Sequence, residues 1–224
     1  MTIHIRNYDM PWDTHMYEVI FHGNFIETCR TSNPSIVDDW VQFMSSHFGF
    51  SSNQNRLIGL DVEWKPNTQR NAPRNPVATL QLCQGENCLV YQTLHAPYIP
   101  QSLLDFLKSR NNTFVGAGID ADAQKLLEDY HLHVTNCTDL RVLAEHVLGG
   151  RELRNAGLKT LAAGVMGVEL EKPSYITRSS YWDVERLNPQ QVQYACLDAF
   201  VSYEVGKRLF VASGNTSNRK DRSL

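Results

Sequence analysis

The run Leu57–Trp64, LIGLDVEW, constrains the fold of this chain more than any other stretch. It reads as a buried strand, yet it carries two carboxylates, Asp61 and Glu63. Side chains on a strand alternate faces, so both acids point the same way, roughly 6 to 7 Å apart along the backbone. Like charges so placed repel, and burying either without a partner is costly. The chain must therefore fold so that something on that one face of a sheet compensates them.

The surrounding pattern gives the class of fold. Alternation of apolar and polar residues through IHIRNY and YEVIFHGNFIETCR predicts strands, with His22-Gly23-Asn24 as a hairpin turn. PSIVDDWVQFMSSHF has helical spacing, with Asn33 as N-cap and Pro34 at the first helical position. After LIGLDVEW comes a Pro-rich loop, KPNTQRNAPRNP, then a hairpin of VATLQLC and CLVYQT around Gln84 to Asn87. From Pro100 helix and strand alternate: QSLLDFLKSR, TFVGAGI, ADAQKLLEDYH, a short strand around Val134 and Asn136, and TDLRVLAEHVLG. That alternation requires at least one parallel crossover, so antiparallel strands followed by βα units give a mixed α/β sheet. LKTLAAGVMG and a helix from Gln190 to Phe210, capped by Asn188 with Pro189 at its first position, complete the pattern. Residues 1–212 read as one domain, and the polar segment from Ser213 to Leu224 as a frayed, flexible tail.

Composition narrows the functions. A chain of 224 residues can bury a substantial core. A net charge of -3 gives no global attraction to polyanions, so a nucleic-acid partner would need a local patch or metal ions. Five cysteines without a CxxC pair argue against a disulfide framework or structural zinc, and read as small hydrophobes in a reducing compartment, cytoplasmic or nuclear. No apolar run has the length of a membrane span, and MTIHIRNYDM lacks the features of a signal peptide.

Two further acids stand out. Tyr194 and Asp198 are four residues apart, hence on one helical face, with Ala195, Cys196, Leu197 and Ala199 around them. In GIDADAQKL, Asp120 and Asp122 begin a helix, Asp120 being the better candidate for its cap. Singly, these are an ordinary first-turn acid, edge-strand acids and a partly exposed helix acid. Together they form a set of carboxylates for which the sequence of the same segments offers no obvious basic partner. Hard divalent cations, Mg²⁺ or Mn²⁺, require such oxygen donors.

The motifs LDVEW, VGAGIDADAQKL and YACLD, in this order, resemble those of the DEDD superfamily of 3'-5' exonucleases. The branch is the one with a tyrosine in its third motif (DEDDy), and within it the Werner-syndrome-like exonuclease domains. The resemblance runs through VATLQLC, TDLR, GLKTLAAGVMGVELEK and WDVERLNPQQVQYACLDAF, from about Arg56 to Leu209. It implies an RNase H-like mixed sheet flanked by helices, here with an N-terminal β-hairpin and helix as an extension. It also implies metal-dependent hydrolysis from the 3' end of single-stranded RNA or DNA, releasing nucleoside 5'-monophosphates with two Mg²⁺ or Mn²⁺ ions per site. By the same resemblance Asp61 bridges the two ions, Glu63 and Asp198 hold the ion that activates water, Asp122 holds the second through water, and Tyr194 orients the nucleophile.

The short length and N-terminal extension are similar to the small plant members of the group, of the RISC-interacting clearing exoribonuclease type. That likeness implies RNA over DNA, a homo-oligomer such as a ring, and Argonaute or the silencing complex as partner. The competing readings are a Werner-like DNA exonuclease and a catalytically weak binding module. Lys65, Arg70 and Arg74 in the loop after Glu63 are candidate phosphate contacts, with Leu82 as a further substrate-binding candidate. Leu82 and Trp64 also fit a core role, and His131 and His133 lack metal-ligand spacing.

Overall fold

A computed structural model describes residues 2–6, 13–47, 55–67, 72–171 and 181–220. Its centre is one eight-stranded mixed sheet in the order β1-β2-β3-β6-β5-β4-β7-β8. The strands are β1 (Thr2–Arg6), β2 (Thr14–Phe21), β3 (Asn24–Thr31), β4 (Arg56–Trp64), β5 (Val77–Gln84), β6 (Asn87–Tyr91), β7 (Asn112–Gly116) and β8 (Cys137–Asp139). Pairing is parallel at β3–β6, β4–β7 and β7–β8, and antiparallel elsewhere. The fold is the RNase H-like α/β arrangement that the motifs implied, with the N-terminal hairpin extending the sheet beside β6.

Local chemistry explains most boundaries. His22 and Gly23 both have positive φ, 47° and 83°, which gives the two-residue hairpin turn whose twist matches its strands. Asn24 begins β3 rather than sharing the turn. Helix α1 (Pro34–His47) starts where Asn33 Oδ1 accepts from the Ser35 N–H at 3.0 Å. Helix α2 (Gln101–Lys108) and helix α3 (Ile119–Tyr130) make the connections leading into β7 and β8. Helix α4 (Leu140–Leu148) is capped by Asp139, and α5 (Leu158–Leu161) continues as a π-turn to Met166. At the start of α6 (Pro189–Lys220) Gln191 N–H donates to Asn188 Oδ1 at 2.9 Å and Asn188 N–H to Gln191 Oε1 at 3.0 Å. This reciprocal capping box satisfies two donors that a helix start would otherwise leave open.

The structure corrects three expectations. The cap of α3 is Gly118, at φ 89°, and Asp120 is an exposed first-turn residue without a capping role. The short strand lies at Cys137–Asp139, not around Val134 and Asn136, because Asn136 has φ 51° and cannot continue an extended strand. Helix α6 runs to Lys220, past Ser213: extending an anchored helix adds residues without a new nucleation cost.

The sheet has two apolar faces. Ile58, Leu60 and Val62 of β4, with Leu80 and Leu82 of β5, pack under α1, α2 and α3. Val192, Ala195, Cys196, Ala199 and Phe200 of α6 cover the other face together with α4 and α5. Cys29, Cys83, Cys88 and Cys196 are buried as free thiols, with Cys137 half-buried. Among the described residues no helix is long and apolar enough to cross a membrane.

Candidate active site

Because Ile58, Leu60 and Val62 point toward α1–α3, alternation sends Gly59, Asp61 and Glu63 to the α6 face. Gly59 is what brings α6 close. A Cβ at that position would stand 1.9 Å from the Ala199 carbonyl oxygen and 2.7 Å from the Tyr203 nitrogen, so strand and helix backbones are nearly in contact. Asp198 immediately precedes Ala199, and Asp61 lies two residues beyond Gly59, so this close approach sets the two acids against each other.

Asp61, Glu63 and Asp198 each offer a carboxylate oxygen, all within 4.8 Å of one another. Asp198 is only 4 % exposed, and the other two are half-buried. Three acids at this spacing cannot share a face as free anions without a large repulsion. Hard oxygen donors so clustered fit a divalent cation of the Mg²⁺ or Mn²⁺ type.

Tyr194 belongs to the same group. Burial first, then the charges of Asp198, Glu63 and Asp61, push its phenol far above its usual range, and its hydroxyl hydrogen-bonds Asp198. It therefore stands as a neutral hydroxyl donating to Asp198. Its ring packs on Trp182 with centroids 6.0 Å apart.

Asp122 sits on the first turn of α3, outside the 4.8 Å group. Burial first, then the charge of Asp139, push it up to about 7, against the opposing pull of Arg141. Further positive charge nearby would favour its ionised form. Asp139 is a residue that sequence spacing did not single out, although TDLR carried it. Its carboxylate accepts from the Arg141 side chain and backbone N–H and from Gly118 N–H, linking the start of α4 to the cap of α3. Thr79 and Gln81 were also missed. They pair in register with Glu63 and Asp61, are wholly buried, and Gln81 Nε2 donates to Thr79 Oγ1 at 2.6 Å.

The substrate candidates separate. Leu82 is wholly buried among the residues under α1–α3, so it is a core residue and not a substrate contact. Arg74 pairs with Glu128 and Asp129, both at 2.6 Å, and fastens its loop to α3 while its side chain stays half exposed. Arg70 lies outside the described residues. Lys65 is at the end of β4, partly exposed, paired with Asp183 at 2.7 Å and 5.3 Å above the Tyr181 ring. Trp64 is 38 % exposed, with Lys125 Nζ 5.0 Å from its ring centroid. His131 and His133 are at the surface.

An RNase H-like sheet with a carboxylate cluster between an interior strand and a packed helix defines a class of nucleases, and comparison with known proteins agrees. A 3'-5' exonuclease family model matches residues 39–210, and the chain belongs to that family. An Arabidopsis thaliana 3'-5' exonuclease is 37 % identical over 154 residues, covering 68 % of this chain and 52 % of that protein. Human exonuclease 3'-5' domain-containing protein 2 is 36 % identical over 151 residues, 65 % of this chain and 24 % of that one. The chain thus spans about half or less of the length of these relatives. The crystal structure of Escherichia coli RNase D, described as an exoribonuclease involved in structured RNA processing, shares the fold: TM-score 0.69 at 17 % identity, covering 84 % of this chain and 45 % of that one.

Proposed function

We propose that this chain is a metal-dependent 3'-5' exonuclease that removes nucleoside 5'-monophosphates from the 3' end of single-stranded nucleic acid, RNA in preference to DNA. The observation that carries the reading is the convergence of Asp61, Glu63 and Asp198 oxygens within 4.8 Å, beside Tyr194. These acids, with Asp122 acting at longer range, would hold Mg²⁺ or Mn²⁺, two ions per site by family resemblance. When bound, such ions acidify water and stabilise the developing charge on the leaving oxygen. Asp61 and Glu63 supply negative charge from a rigid strand, and Asp198 supplies it from a helix fixed by the Gly59 contact. Lys65, just beyond the acids, is the cation we assign to a substrate phosphate. The preference for RNA, a homo-oligomeric ring and an Argonaute-containing partner rest on the resemblance to small plant members alone. End-labelled RNA and DNA of one sequence, single-stranded and recessed, each with Mg²⁺ or Mn²⁺, test both the activity and the preference.

Tyr194 orients. A phenol pushed upward by burial and three carboxylates is no base at neutral pH, but its hydroxyl can fix the attacking water along the line to the terminal phosphorus. Tyr194→Phe keeps the ring against Trp182 and removes the hydroxyl, so kcat is expected to fall on the order of 10² while Mn²⁺ affinity changes little. Single-turnover rates and Mn²⁺ titration check this, and a rate within about twofold of the parent would remove Tyr194 from the mechanism.

Asp120 and Asp122 are separable by the same means. Asp122→Asn is expected to lose most of the activity, whereas Asp120→Asn, at an exposed first-turn position, should cost only a few tenths of a kcal/mol in stability and leave the rate near the parent's. The opposite ranking would show that the wrong acid of the pair has been assigned.

A further inference from the structure

Residues 181–187 form an irregular segment that carries two contacts of the acid site. Trp182, 3 % exposed, packs on Tyr194 with ring centroids 6.0 Å apart, and Asp183 pairs with Lys65 at 2.7 Å. The segment belongs to no helix or strand, so its carbonyls have no ladder of their own and need donors from elsewhere. Those donors come from the end of β6. Gln92 Nε2 donates to the Val184 and Glu185 carbonyls at 3.0 and 3.2 Å, and His95 Nε2 donates to the Asp183 carbonyl at 3.0 Å. Three successive carbonyls are thus held from one side.

Gln92 is wholly buried, and the two ends of its amide face partners of opposite kind. Its Oε1 accepts from Arg30 Nη1 at 2.9 Å, and Arg30, 2 % exposed on β3, donates in turn to His15 Nδ1 on β2. A guanidinium can only donate and a carbonyl can only accept, so the amide has one workable orientation. The Gln92 backbone is fixed as well, its N–H donating to the Thr31 carbonyl at 2.8 Å. The N-terminal hairpin of β2 and β3 is thereby joined, through one side chain, to the wall beside Tyr194.

We propose that Gln92 is a positioning residue for the exonuclease reaction: oriented by Arg30, it holds residues 181–187 so that Trp182 seats Tyr194 and Asp183 seats Lys65. This role rests on the exonuclease reading and gives the N-terminal hairpin a part in the reaction.

Gln92→Glu is the variant that isolates the role, because it keeps the size and the acceptor for Arg30 but puts an oxygen where the two carbonyls need donors. Two measurements use the purified full chain. In EDTA, without catalysis, backbone hydrogen exchange of residues 181–187 is expected to quicken about tenfold or more in the variant, while β5 and β6 keep their protection. With Mn²⁺ and end-labelled RNA, kcat is expected to fall about tenfold or more, as for a misplaced reacting group, with Mn²⁺ affinity unchanged. On a Tyr194→Phe background the same substitution should lower kcat by no more than about twofold, because the hydroxyl it misplaces is already gone. His95→Ala, at a half-buried position, releases the Asp183 carbonyl alone. It should also quicken exchange of the segment and, through Lys65, raise KM more than it lowers kcat, and it decides the matter if Gln92→Glu does not fold. Unchanged exchange of residues 181–187 in both variants would overturn the proposal whether or not the chain cleaves. So would a kcat within about twofold of the parent's in Gln92→Glu, or equal losses with and without the Tyr194 hydroxyl. Quickened exchange in a chain that cleaves nothing would uphold the clamp and fail the exonuclease reading instead.

Discussion

Gly59→Ala is expected to lower both stability and activity sharply, although it adds one methyl group. The added carbon would stand 1.9 Å from the Ala199 carbonyl oxygen, and a helix backbone cannot turn aside as a side chain can. Helix α6 must lift from β4. Overpacking of this kind costs about 3 kcal/mol or more, which in a protein of this size lowers the melting temperature by roughly 6 to 12 °C. The lift also carries Asp198 away from Asp61 and Glu63, and misplacing a catalytic group by about 1 Å costs on the order of 10² in rate. Thermal melting and initial rates on end-labelled substrate measure the two effects. A variant that melts and cleaves like the parent would show that α6 is not seated directly on the strand.

Asp61→Ala is expected to separate stability from activity. Asp61 is one of three carboxylates gathered within 4.8 Å, so its removal relieves repulsion in the metal-free protein, and the melt should stay level or rise. Activity should fall by at least about 10³, since several kcal/mol of charge stabilisation are lost with the ligand and each 1.4 kcal/mol is tenfold. A marked drop in the metal-free melting temperature would instead assign Asp61 a structural role, with its charge satisfied inside the protein.

These two residues show what the sequence made legible. Asp61 and Glu63 were visible because strand periodicity forces alternate residues onto one face, and Tyr194 and Asp198 because helical periodicity does the same four residues apart. The hairpin at His22-Gly23 and the caps at Asn33 and Asn188 were visible because turn and cap chemistry is local. Gly59 was different. A glycine within a strand signals a close approach but not what approaches, and here the partner lies 140 residues further on, at Ala199. Thr79 and Gln81 were hidden because they acquire their positions only through the β4–β5 register, and Asp139 because it ties together two helix starts. Asp120 misled because an acid in a first turn looks like a cap, whereas Gly118 alone tolerates the left-handed backbone at that point. Leu82 and Arg74 were assigned from their place in a motif and a loop. Leu82 turns into the core, whereas Arg74 stays half exposed while paired with Glu128 and Asp129.

The central claim is that the carboxylate cluster does chemistry only with a divalent cation and only from the 3' end. It is tested most directly by incubating the purified chain with single-stranded RNA labelled at its 5' end, with Mn²⁺ or Mg²⁺ and, in parallel, with excess EDTA. With metal, a ladder of fragments shortening one nucleotide at a time, with nucleoside 5'-monophosphate as the released product, is predicted, and with EDTA the substrate should stay intact. Undiminished cleavage in EDTA, or immediate release of the labelled 5' nucleotide in the presence of metal, would contradict it.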